Sequence, residues 1–230
     1  LLELVAAIAP SFRRKRTMRV FRQPFRATAT IRDLHVQTAI AIAEAAKIGA
    51  DASTYVSLLE QRERNAVGAW TASGPRIDPA SLAGVHDEIA DALDRRRWVD
   101  LASSVWTHFN ARLRDVLEFD AHAADLHDLR KRVKECSNLT WIIAEVTPEL
   151  TIAEALAKAL DKLQKQLGDW HDYDVAVQTT AEIPTEEPGA VASAGWHDLR
   201  SALEAERLRL REKVLHSWSA LAKLVPPGVR

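Results

Sequence analysis

Residues 126–143 read Leu-His-Asp-Leu-Arg-Lys-Arg-Val-Lys-Glu-Cys-Ser-Asn-Leu-Thr-Trp-Ile-Ile, the segment richest in groups that could bind an anion. On an α-helix advancing by about 100° per residue, with His127 at zero, Arg130 falls at about −60°, Lys131 at about +40°, Lys134 at about −20° and Asn138 at about +20°. Leu126, Leu129, Val133, Cys136, Thr140 and Ile143 take the opposite side. One face is therefore a core stripe and the other a cationic row headed by a histidine. Arg and Lys present charge-assisted donors to phosphate oxygens. A protonated His127 adds a donor at each ring nitrogen. Holding an anion in this way requires no covalent chemistry. Arg132 points off the row, at about +140°, and reads as a solvated charge.

The same design recurs twice. Lys158, Lys162 and Lys165 share a helical face, opposite Leu156, Leu160, Leu163 and Leu167. Further upstream, residues 12–32 contain Arg13, Arg14, Lys15, Arg16, Arg19, Arg22, Arg26 and Arg32, and no acid. Arg19 and Arg26 stand where the second copy has Lys158 and Lys165, with Arg22 about 40° from Arg26. The whole chain is nearly neutral, with 31 Lys+Arg against 32 Asp+Glu. Local cationic rows in such a chain point to a local anionic ligand and not to general adhesion to polyanions. Like charges at i,i+4 repel, and a solvated face ordinarily interleaves the two signs. Acids are scarce on these faces.

Other chemistries are less well supplied. Four His-Asp dipeptides, beginning at His86, His127, His171 and His197, resemble those of metal-dependent HD-type phosphohydrolases. Neighbouring helical residues diverge by about 100°, so no single pair chelates a metal unless others converge on it. Metal-dependent phosphohydrolysis stands as the alternative reading. No Gly-x-Ser-x-Gly elbow and no Gly-rich phosphate loop occurs, which speaks against a serine hydrolase or a nucleotide-driven kinase. The seven tryptophans recur at helical spacing and are expected to be core wedges, not stacking platforms for bases. One cysteine, Cys136, excludes an internal disulfide and suits a reducing compartment. Neither a metal nor a cofactor is expected.

The elements that position these rows are helices. Hydrophobic residues make up 47% of the chain, with only 8 Gly and 9 Pro, which disfavours a fold of many short strands. Periodicity predicts helices at 1–9, 15–47, 52–71, 79–92, 97–119, 122–146, 150–180 and 192–224. Pro10-Ser11, Gly49, Ser73-Gly74-Pro75 and Thr147-Pro148 supply the breaks. Thr151 with Glu154 reads as a capping box, and 183–190 as a surface loop. Pro24 is expected to kink or break its helix. No apolar run is long enough to cross a membrane. The chain opens on Leu1 inside a helical pattern, with no leader, so it is expected to begin partway into a longer protein.

Sliding the chain by 139 residues lays Ile31-Arg32-Asp33-Leu34-His35-Val36 on Trp170-His171-Asp172-Tyr173-Asp174-Val175. Two related helical halves, 1–120 and 121–230, explain the repeat. At this offset the counterpart of His127 would precede residue 1.

His127-x-x-Arg130-Lys131-Arg132-x-Lys134, followed by Leu160-x-x-Leu163-Gln164-x-x-Leu167-Gly168-Asp169-x-x-Asp172-x-x-Val175, resembles the CHAD family, the conserved histidine α-helical domain. The resemblance spans most of the chain, most closely over 126–175. It departs at Ala29, where the second copy has Gly168, and at Ser137-Asn138, where the family commonly has Arg-Tyr. The resemblance implies an all-α protein of two antiparallel helical bundles related by a pseudo-two-fold axis. It also implies binding of inorganic polyphosphate in a basic cleft between the bundles. It further implies a bacterial or archaeal, cytoplasmic setting, polyphosphate granules and a triphosphate-tunnel (CYTH) partner domain. A membrane is not expected as a partner, nor is nucleic acid. The expected ligand-binding residues are Arg19, Arg22, Arg26, His127, Arg130, Lys131, Lys134, Lys158, Lys162 and Lys165. A third reading is a helical scaffold whose basic face docks an acidic protein or a nucleic-acid backbone.

Overall fold

A computed structural model describes residues 2–9, 12–94, 98–121, 125–146, 154–181 and 194–225. Among them the chain forms eight helices and no strand: α1 (Leu2–Ile8), α2 (Arg14–Ile48), α3 (Ser53–Ser73), α4 (Pro79–Asp94), α5 (Trp98–Leu117), α6 (Leu126–Val146), α7 (Glu154–Ala181) and α8 (Ala194–Leu224). The protein is all-α, and the predicted order of elements holds. Four predicted features, the break at Pro10-Ser11, the break at Thr147-Pro148, Thr151 of the capping box and the 183–190 loop, lie outside the described residues.

Local chemistry explains the ends. Gly49 takes φ 69°, which only glycine adopts cheaply, and the Ala50 N–H donates to the Ala45 carbonyl at 3.0 Å, closing α2. This is the left-handed stop that satisfies a terminal carbonyl. The Asp78 carboxylate accepts the Ser81 N–H at 3.0 Å at the head of α4, with Pro79 at the first helical position where its missing N–H costs nothing. Asp125 caps α6 in the same way, accepting the His127 N–H at 2.9 Å.

α2 runs through Pro24 without a break, so of the two outcomes expected there the break does not occur. Packing divides the chain into two compact units. The first comprises Leu1–Arg22, Ile77–Leu167 and Val214–Arg230, and the second Gln23–Arg76 and Gly168–Lys213. α2 passes from one unit to the other two residues before Pro24. α7 and α8 likewise contribute to both. This division by packing differs in kind from a division by repeat, since each unit gathers segments remote in sequence.

In the first unit α1 packs on α4 and α5, and α5 packs on α6. α5 buries Val105, Phe109, Leu113 and Val116, and α6 buries Leu126, Leu129, Val133, Cys136, Leu139 and Ile143. Both are one-sided stripes at helical spacing. Burial pushes the Cys136 thiol up to about 12, so it is an inert core group. The Trp218 indole N–H donates to the Val116 carbonyl at 2.9 Å and ties α8 to the end of α5. Arg132 is exposed, as its position on the helix suggests, but it is also engaged. Its guanidinium lies 5.2 Å from the centre of the Phe119 ring and donates to the Asp115 carbonyl at 3.3 Å.

His108 lies between α5 and α6, with Nε2 3.8 Å from Glu135. Glu135 also takes Arg112 at 3.5 Å, and Arg112 takes Asp115 at 2.8 Å. Burial, then the Arg112 charge, hold the His108 imidazole below its ordinary pKa, against the smaller pull of Glu135 and Asp115. A depressed histidine adds stability while neutral, above the ordinary value of about 6.5, and that stability is lost as pH falls through the lower folded value. Denaturant titrations from pH 8 to pH 5 should therefore show weakening at the acid end. His108→Gln should flatten that slope; an unchanged slope would remove His108 as its source.

The second unit has a separate core of Ala41, Tyr55, Leu59, Trp196, Leu199 and Leu203. Tyr55 and Trp196 meet edge to face with ring centroids 4.9 Å apart, a favoured geometry. Two buried carboxylates are matched by donors. Glu44 accepts from the Tyr173 hydroxyl and from Lys47, both at 2.5 Å. Asp174 accepts from Arg207 at 3.1 Å and Gln178 at 2.7 Å. Burial and then the bond to Glu44 drive the Tyr173 hydroxyl well above its ordinary pKa. It therefore stays a proton donor to the carboxylate.

Candidate functional site

The cationic face of α6 is built as the helical wheel requires. Leu129, Val133 and Cys136 have no exposed surface, which turns Lys134 and Asn138 to solvent and leaves His127 and Arg130 half-buried. Lys131 belongs to the row by angle but is engaged on its own helix. Its ammonium meets Asp128 at 2.8 Å, which raises the Lys131 pKa and lowers that of Asp128. Among the described residues neither Arg130 nor Lys134 has a carboxylate partner.

α7 shows the same division of labour. Leu160, Leu163 and Leu167 have no exposed surface, and Lys158, Lys162 and Lys165 are exposed on the far side. Lys158 pairs with Glu154 at 2.5 Å. Lys162 and Lys165 have no carboxylate partner among the described residues.

The basic stretch at the start of α2 is partly neutralised in space. Arg14 pairs with Glu3 of α1. Arg16 lies 3.7 Å from Glu88 of α4, which also accepts from the Thr17 hydroxyl at 2.9 Å. In the second unit, Arg32 lies 3.4 Å from both Asp33 and Asp172. Arg13, Lys15, Arg19, Arg22 and Arg26 remain exposed, with no carboxylate partner among the described residues. Arg14, Lys15, Met18, Arg19 and Arg22 line an open concavity of about 370 Å³. Lys15 stands four residues before Arg19 and extends the row by one turn. It is not among the expected ligand-binding residues, although its i,i+4 spacing from Arg19 is legible in the sequence.

Nine of the ten expected ligand-binding residues thus lie in the first unit, on α2, α6 and α7. Arg26 alone lies in the second. Asp128 and Glu154 neutralise cations of their own helices at i,i+3 and i,i+4, and Glu3 and Glu88 reach theirs from other helices.

The His-Asp pairs do not converge. His86 bonds to its own neighbour Asp87 at 3.2 Å on an exposed face, Asp128 takes Lys131, Asp172 takes Arg32, and His197 and Asp198 are both exposed. Among the described residues no group of three or more His, Cys, Asp or Glu side chains is placed to hold a metal ion. Nor is any described helix long and apolar enough to cross a membrane.

One tryptophan departs from the expected core role. Trp170 and Trp196 are buried, but Trp141 on α6 is 69% exposed. At about −40° on the wheel it falls between Arg130 and Lys134, on the cationic face.

The family model described as the CHAD domain matches residues 1–181. The chain belongs to the CHAD family. The match takes in every helix that carries an expected ligand-binding residue of this CHAD protein. Comparison with curated proteins and with solved structures gives no significant match.

Proposed function

We propose that this CHAD protein binds inorganic polyphosphate electrostatically and without covalent chemistry. The observation that carries the reading is the set of cations on α2, α6 and α7 that have no carboxylate partner among the described residues: Arg19, Arg22, Arg130, Lys134, Lys162 and Lys165. Those on α6 and α7 lie opposite or beside a buried stripe, so their direction is set by the core and their charge is left for a ligand, while Arg19 and Arg22 line the exposed concavity at the start of α2. Rows of this kind repel themselves and are stabilised by a chain of phosphates that spans them. His127 supports the head of the α6 row. Lys131 and Lys158, already satisfied by acids of their own helices, contribute less. Association with polyphosphate granules in the cytoplasm and cooperation with a triphosphate-tunnel domain follow from the same reading.

The test is the dependence of affinity on salt. Binding through neutralised phosphates releases counterions, with a log–log slope of about −0.7 per phosphate for single nucleic-acid strands. By analogy, titration with long-chain polyphosphate should give a slope several times that value. Affinity independent of salt would remove the electrostatic reading.

A further inference from the structure

The exposed Trp141 has no role in holding phosphate, and its surroundings suggest what covers it. An indole on an apolar patch would mark a protein contact. Trp141 instead shares its face with Arg130, Lys134 and the exposed Asn138. Along the axis it stands about 10 Å beyond Lys134 and about 4.5 Å beyond Asn138, at 1.5 Å per residue. The face therefore offers cations at one end and a bare aromatic surface at the other, with an amide beside it.

We infer that the α6 face takes a nucleoside polyphosphate, with the phosphates on Arg130 and Lys134 and the base stacked on Trp141. The phosphate half of this site rests on the proposed polyphosphate reading; the base half rests on Trp141. An aromatic side chain accepts any base through its π-face. The Asn138 amide carries both a donor and an acceptor, the pair that an adenine edge can meet. A single aromatic among several cations fits a ligand with one base and several phosphates. A single strand of nucleic acid presents a base with every phosphate and calls for a series of platforms.

The experiment compares adenosine 5′-tetraphosphate with inorganic tetrapolyphosphate, by calorimetry on the full chain, for the parent, Trp141→Ala and Trp141→Phe. The parent should bind the adenosine ligand about ten-fold more tightly, although tetrapolyphosphate carries at least as much charge. Trp141→Ala should abolish that preference while binding tetrapolyphosphate as the parent does, and Trp141→Phe should keep most of it. Equal affinity of the parent for the two ligands would overturn the inference alone and leave the polyphosphate reading standing. Binding of neither ligand would overturn the inference alone where long-chain polyphosphate still binds, and both where it does not. An oligodeoxyadenylate matching the adenosine ligand phosphate for phosphate, with the same loss in Trp141→Ala, would reassign the face to nucleic-acid strands and overturn the inference.

Discussion

Reversing Lys134 and Lys165 to Glu together should weaken polyphosphate binding by about a hundred-fold or more while leaving the melting temperature nearly unchanged. Each residue is exposed and has no carboxylate partner among the described residues. Each loses a charge-assisted contact of about 1.5–3 kcal/mol, and about 1.4 kcal/mol is ten-fold in affinity. The introduced carboxylates add repulsion. Stability is spared because exposed substitutions away from special features stay within about ±0.5 kcal/mol. Glu at 134 would also meet Arg130 and Lys131 one turn back, which relieves like-charge repulsion on α6. Lys131→Glu is the informative comparison. That ammonium is held by Asp128, so its loss should weaken binding less than Lys134→Glu alone. Arg132→Glu is no neutral control, since Arg132 donates to Asp115 and lies over Phe119; it should lower stability. Titration calorimetry paired with thermal melts separates these outcomes. Parent-like affinity in the double variant would contradict the assignment of α6 and α7.

Leu129→Ala should show the reverse pattern. Leu129 has no exposed surface on the stripe that packs α6 against α5. Removing a buried Leu side chain costs about 2–5 kcal/mol through lost transfer energy and the cavity left behind. Folded proteins hold only about 5–15 kcal/mol, so denaturant midpoints should fall steeply. Well below its melting temperature the variant should still bind polyphosphate as the parent does, because no cation has moved to another face. A midpoint within error of the parent would mean that this stripe is not core.

On α6, Lys134 and Leu129 differ in the face they occupy, and that is the part of the molecule most legible in sequence. Apolar spacing at i, i+3, i+4 and i+7 located all eight helices, and it told Lys134 from Leu129 without coordinates. Gly49 marks an end because its backbone preference is local. What escaped was set by partners remote in the chain. Arg14 and Arg16 look like unopposed charges in a stretch without acids, yet Glu3 and Glu88 lie on α1 and α4. Arg132 is exposed as its angle suggests, but wheel angle says nothing of its contact with Phe119 beyond the end of α5. Trp141 was expected in the core because tryptophans usually are, but its own angle already set it among the cations. Pro24 is expected on local grounds to kink or break α2, and the helix continues through it without a break.

Lysine footprinting reads directly whether polyphosphate lies along the proposed helix faces of the first unit. The intact protein would be acylated briefly with and without long-chain polyphosphate, and each lysine quantified by mass spectrometry. Lys15, Lys134, Lys162 and Lys165 should be strongly protected, and Lys131 and Lys158 partly so. Lys47, held by the buried Glu44 of the second unit, and Lys223 near the end of α8 should react alike in both samples. Unprotected Lys134 and Lys165, or protection spread evenly over Lys47 and Lys223, would contradict that location.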